Sequence, residues 1–144
     1  MPEPGVKGEA CMELSRSKIK YLLIIHPLCQ EKGAARSVDI AIQLGVARPS
    51  VHRMLSSLAE GGFVHMEPRG AVTLTPEGKK AAEVCDRQYQ RLYPFFLREL
   101  GLSAYDAEQS ALAALSALAQ WLSCGYESHR SHYVVDRELT DEEE

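Results

Sequence analysis

The sequence predicts a mainly α protein, with a winged helix-turn-helix domain followed by a helical dimerisation domain. Three observations carry that expectation. Between Ser37 and Glu60 two short helical patterns flank a tight turn at Gly45. Between Phe63 and Leu74 two β-prone runs flank Pro68-Arg69-Gly70, a hairpin signal directly after the second helix, and hence a wing. From Ala104 to about Cys124 apolar residues nearly encircle a long helix, and a helix apolar all round must be buried.

Each element has a local cause. Leu14 to Lys32 reads as a helix, with Leu14, Ile19, Leu22, Leu23 and Ile25 on its apolar side and Gly33 ending it. Pro27 removes a donor and is expected to kink or break this helix near His26. Ser37 is placed as N-cap of a helix over Val38–Leu44 that stops at Gly45. Pro49 starts a third helix, Pro49–Glu60, with Val51, Met54, Leu55 and Leu58 on one stripe and Gly61-Gly62 at its end. Phe63–Glu67 and Ala71–Leu74 are the hairpin strands. Thr75-Pro76-Glu77 opens a helix expected to reach about Leu100, bent at Pro94 and closed by Gly101. Ser103 caps the last helix. The resulting division is a disordered N-terminus (1–13), a winged helix-turn-helix DNA-binding domain (14–80), a helical dimerisation domain (81–125) and a polar, acidic C-terminal segment (126–144).

The chain has 144 residues and a net charge of −4, but the charge is unevenly placed. Residues 14–100 hold 13 bases against eight acids, whereas residues 101–144 hold two bases against nine acids. A basic middle and an acidic end fit a nucleic-acid-binding unit followed by a segment with another task. The longest apolar run, Tyr21–Ile25, is far short of the ~20 residues that cross a bilayer, and the N-terminus lacks the pattern of a signal peptide. A cytoplasmic protein without membrane contact is expected. Its cysteines (Cys11, Cys29, Cys85, Cys124) are expected to be reduced thiols. No nucleophile elbow, zinc-protease helix or phosphate loop is present, so enzyme activity is not expected.

The third helix carries the functional expectation. A recognition helix turns polar or basic donors toward base edges and packs its other face. Arg48, Ser50, His52 and Arg53 fall on the outward side and are the candidates for base or phosphate contact. Arg36 and Ser37 near a helix N-terminus, and Arg69 at the wing tip, are the candidates for backbone contact. Leu112, Leu115, Leu118, Trp121 and Leu122 are the candidates for a homodimer interface. The expected partner is double-stranded operator DNA.

The motifs Gly33-Ala34-Ala35-Arg36-Ser37-Val38-Asp39-Ile40-Ala41, Leu44-Gly45-Val46-x-x-Pro49-Ser50-Val51-x-x-Met54-Leu55-x-x-Leu58, Gly62-Phe63-Val64 and Leu74-Thr75-Pro76-Glu77-Gly78 resemble the diphtheria-toxin-repressor and manganese-transport-regulator (DtxR/MntR) family. The resemblance is specific over residues 14–80 and looser over 81–125. The length suits the short branch without an SH3-like domain. The resemblance implies a DNA-binding transcriptional regulator, a repressor of the iron/manganese-dependent type, switched by Mn or Fe bound where its two domains meet.

The same resemblance exposes departures. The family's ligand pair on the first helix falls on Lys20 and Leu23, its histidine after the wing on the Gln88-Tyr89-Gln90 region, and its last motif on Leu112, Leu115 and Ser116. These side chains are not the oxygen and imidazole ligands a hard cation takes. No cofactor is therefore expected, with the leucines filling the space and Lys20 supplying a fixed positive charge. The alternatives are metal sensing through other ligands (His26 with Cys29, or His129 and His132 with Cys124), a winged helix used only for protein contacts, and a small-molecule sensor with a pocket lined by Leu23, Leu112 and Leu115.

Overall fold

The computed structural model describes residues 14–119. Its elements, in chain order, are α1 (Arg16–Lys32), β1 (Ala35–Arg36), α2 (Ser37–Leu44), α3 (Arg48–Glu60), β2 (Val64–Met66), β3 (Ala71–Leu74), α4 (Pro76–Pro94), a π-helical turn (Phe95–Glu99) and α5 (Ala104–Ala117). The fold is mainly α with a winged helix-turn-helix, as the sequence predicts.

Capping sets the starts of three helices. Ser15 Oγ accepts from the Lys18 amide at 3.3 Å, Thr75 Oγ1 from the Gly78 amide at 2.9 Å and Ser103 Oγ from the Asp106 amide at 3.1 Å. Three expectations are corrected here. Of the kink or break expected at Pro27, the break does not occur: Pro27 lies inside α1, which continues to Lys32. It sits on the exposed side, where water can satisfy the carbonyl that loses its partner. Ser37 is the first residue of α2 rather than its cap; the cap is Arg36, which makes no side-chain capping bond. Instead the Ser37 amide donates to the Gly70 carbonyl at 3.1 Å. The helix that Ser103 caps, α5, ends at Ala117, with Leu118 at its C-cap in a non-helical conformation. Residues up to Cys124, like the 1–13 and 126–144 segments, lie outside the described residues.

The sheet is three-stranded and antiparallel, in the order β1-β3-β2. Sequence reading found only the hairpin. β1 is two residues long and pairs Ala35 with Val72 and Arg36 with Ala71. This pairing ties the start of the helix-turn-helix to the wing.

The core is one continuous cluster. Ile19, Leu22 and Ile25 of α1 meet Ile40 of α2, Val51, Leu55 and Leu58 of α3, Val72 of β3 and Leu115 of α5, all essentially inaccessible. The wing is fixed onto α4 at Gly78, where a Cβ would lie 1.8 Å from the Phe63 carbonyl oxygen. Only glycine allows that approach. The Thr75 hydroxyl donates to the Gly62 carbonyl at 2.6 Å and the Thr75 amide to Phe63 at 3.1 Å, closing the same corner.

Candidate nucleic-acid interface and the helix junction

α3 is amphipathic along its length. Val51, Leu55 and Leu58 are buried, Arg48, His52 and Arg53 are exposed, and Ser50 is half-buried. Among the described residues Arg48, His52 and Arg53 make no ion pair or side-chain hydrogen bond, so their donors remain available. The turn before α3 depends on Gly45, whose φ of 69° is left-handed. Pro49 sits in the first turn of α3, where its missing donor costs nothing.

Arg36 and Arg69 come together through the sheet. Arg36 is opposite Ala71, and the Glu67 amide donates to the Ala71 carbonyl at 2.7 Å to close the wing tip. Arg69 has φ 75°, the one positive φ on a non-glycine residue among those described. Holding an arginine in this conformation costs about 1–2 kcal/mol. Ser37, half-buried, lies beside Gly70 of the same tip. Arg36, Ser37 and Arg69 thus form a group at one end of the sheet, and Arg48, Ser50, His52 and Arg53 a second group along α3.

The five dimerisation candidates fare differently. Leu112 and Leu115 are 3% and 0% exposed within one protomer, packed against the winged unit, so neither is free to meet a partner. Leu118 is exposed. Trp121 and Leu122 lie outside the described residues. Burial of this helix is supplied in part by its own chain, which the periodicity of the helix cannot reveal.

The three places where the resemblance puts metal ligands meet where α1, α4 and α5 come together, and there they border a cavity of ≈ 420 Å³. Lys20, Leu23, Tyr89, Gln90 and Leu112 line it, together with Asp86, Glu108 and, from α2, Gln43 and Leu44. Lys20 Nζ lies 2.9 Å from Glu108 Oε2. Leu115 is buried elsewhere in the core, and Ser116 turns away, its hydroxyl donating to the Leu14 carbonyl at 3.3 Å. Burial, the Glu108 carboxylate and Tyr93 together push the Tyr89 phenol up. Glu108 and Asp86 escaped sequence reasoning. The available signal was that Glu108 lies one helical turn before Leu112, on the same face.

The other candidates separate. His26 is buried with Nε2 unpartnered, 3.9 Å from Glu83 Oε2. The Cys29 thiol is turned to the Val72 carbonyl at 3.5 Å. Burial raises the Cys29 pKa, against smaller lowering by hydrogen bonds from the backbone at Ala35 and Leu74. Burial, then the charge of Asp86, pushes the Cys85 thiol up to about 12. Both are protonated, unreactive thiols at neutral pH. No group of three or more His, Cys, Asp or Glu side chains placed to hold a metal occurs among the described residues; His129, His132 and Cys124 lie outside them. Among the described residues no helix is long and apolar enough to cross a membrane.

Known proteins share this arrangement. Residues 13–72 match the iron dependent repressor N-terminal DNA binding domain. The transcriptional regulator MntR of Salmonella typhimurium is 43% identical over 91 residues, which is 63% of this chain and 57% of that protein. The HTH-type transcriptional regulator MntR of Lysinibacillus sphaericus is 36% identical over 78 residues, 54% of this chain and 55% of that protein. The chain thus spans little more than half the length of these relatives. Among solved structures, T. acidophilum IdeR superposes with a TM-score of 0.55 at 27% identity, over 69% of this chain and 46% of that one. The manganese regulator SloR has the same fold, with a TM-score of 0.58 at 21% identity over 74% of this chain and 50% of that one. Residues 13–72, which hold the helix-turn-helix and most of the wing, thus match the iron dependent repressor N-terminal DNA binding domain, and over 91 residues the chain is similar to MntR regulators of the DtxR/MntR type.

Proposed function

We propose that this protein is a transcriptional regulator, a repressor in action, that binds operator DNA as a homodimer through α3. The exposed, unpaired cations of α3, set opposite a fully buried apolar stripe, carry this reading. Arg48, Ser50, His52 and Arg53 face the major groove, where an arginine reads guanine through two hydrogen bonds. Arg36, Ser37 and Arg69 hold the phosphate backbone from the sheet end and fix the register of α3. A symmetric pair presents two such helices to successive major grooves about 34 Å apart. The names of the relatives, transcriptional regulators, support the same role.

The residues at the helix junction do not fit a divalent cation. An ammonium group stands beside Glu108, and Leu23 and Leu112 occupy positions where a hard ion needs oxygen or imidazole. Regulation by manganese or iron through that site is therefore not part of the proposed activity.

The test is fluorescence anisotropy on duplexes tiling the DNA upstream of the protein's own coding region, across a salt series. One duplex is expected to bind well above the rest, with log affinity falling linearly in log salt by about 0.9 for each phosphate neutralised. Uniform, weak binding to every duplex refutes the reading.

A further inference from the structure

We propose that the Lys20–Glu108 ion pair is a clasp built into the chain, holding α5 against the winged unit and making DNA affinity independent of metal supply. The proposal rests on the operator-binding reading above and goes beyond it by assigning the junction a chemistry of its own. One end of the pair is on α1 and the other on α5, elements far apart in sequence, and their charged atoms are 2.9 Å apart. The side chains are 38% and 31% exposed, so the pair is only partly screened by water. Leucine walls at Leu23 and Leu112 lower the local dielectric on one side. Leu44 of α2 lines the same cavity, which places the clasp directly behind the helix-turn-helix. A bound divalent cation would have to displace the Lys20 ammonium from Glu108 Oε2. The lysine thus supplies an internal cation that cannot dissociate with the ion concentration of the medium.

One lysine stands against two carboxylates here, so the cavity wall stays net negative even with Lys20 in place. Lys20 faces two carboxylates on the cavity wall, Glu108 and Asp86. Removing the lysine leaves two carboxylates on one cavity wall with no cation among its lining residues, which loosens α5 by repulsion as well as by loss of attraction. The two single-site removals therefore differ. K20M leaves both carboxylates, while E108Q leaves the lysine with Asp86.

The experiment uses the full chain. Wild type, K20M, E108Q and the swap K20E/E108K are compared for operator affinity with EDTA and with added Mn²⁺, for Mn²⁺ binding by calorimetry without DNA, and for amide hydrogen exchange in α5. Wild type is expected to show no Mn²⁺ heat at micromolar concentrations and the same affinity with either addition. K20M is expected to lose about 5- to 10-fold in DNA affinity, E108Q less, and the swap to recover most of the loss. Exchange in α5 is expected to quicken in K20M while the melting transition stays cooperative. Chelator-sensitive DNA binding by wild type, micromolar Mn²⁺ binding, or K20M with unchanged α5 exchange overturns the clasp. If no duplex binds wild type, the operator reading fails alone, and calorimetry with hydrogen exchange still decides the clasp.

Discussion

The α3 face and the helix junction treat charge in opposite ways. Along α3, Arg48, His52 and Arg53 are exposed and have no partner among the described residues. At the junction Lys20 is paired with Glu108, in a cavity wall where Leu23, Leu44 and Leu112 stand among the polar Gln43, Asp86, Tyr89 and Gln90. The first region leaves its cations open, as the proposed contact with a polyanion requires. The second is completed by the chain itself. A cation left unpaired at a surface costs little, because water solvates it, and it keeps its full attraction for phosphate. A cation beside leucines needs a counter-charge, and here the chain provides one.

Substitutions in the two regions are expected to act differently. The largest effect is expected at the corner joining the wing to α4. G78A drives a Cβ into the Phe63 carbonyl and should cost about 3 kcal/mol of stability, read by urea denaturation, with DNA binding lost because the wing is displaced. Next comes the open face. R48A/R53A should reduce operator affinity about 10- to 100-fold with the melting temperature unchanged, because these side chains are exposed and make no ion pair or side-chain hydrogen bond among the described residues. A fall in stability of equal size would show that they are structural after all.

The buried core has its own pH signature. Burial pushes the Cys85 thiol up to about 12 in the folded state, whereas an unfolded thiol releases its proton near its ordinary value of 9.0. Between these values the folded state binds more protons than the unfolded one, so stability falls as pH rises. Each pH unit in that window should remove about 1.4 kcal/mol through this group. C85A should flatten the dependence, measured by denaturation between pH 9 and 11. The smallest effect is expected at the wing tip. R69G removes the strain at φ 75° and should raise stability by about 0.5–1 kcal/mol while weakening DNA binding a few-fold. A gain in both would deny Arg69 a part in binding.

Much of the winged unit was legible in the sequence. The stripe Val51–Leu55–Leu58, the glycine ending α2 and the Thr75-Pro76 start of α4 depend on residues a few positions apart, where helical periodicity and capping act. The outward set on α3 follows from the same periodicity. Pro27 misled because its position on the exposed side of α1 decides whether a missing donor matters, and exposure is not a local property. Ser37 misled because the Gly70 carbonyl, far along the chain, competes for its amide. Two-residue β1 has too little sequence to carry an alternating pattern, and it exists only because β3 offers it a partner.

Residue type and spacing alone therefore determined the helices, the wing and the cationic edge of α3, since each arises from interactions within one or two turns of backbone. Tertiary structure alone decided that Leu112 and Leu115 are buried inside one protomer, and that Lys20 meets Glu108 across a cavity. A helix's periodicity states which side is apolar but not what covers it, and a lone charge in a sequence does not name its counter-ion. Both answers come from how α1, α4 and α5 pack, because burial and Coulomb attraction act through space between segments that the chain order keeps apart.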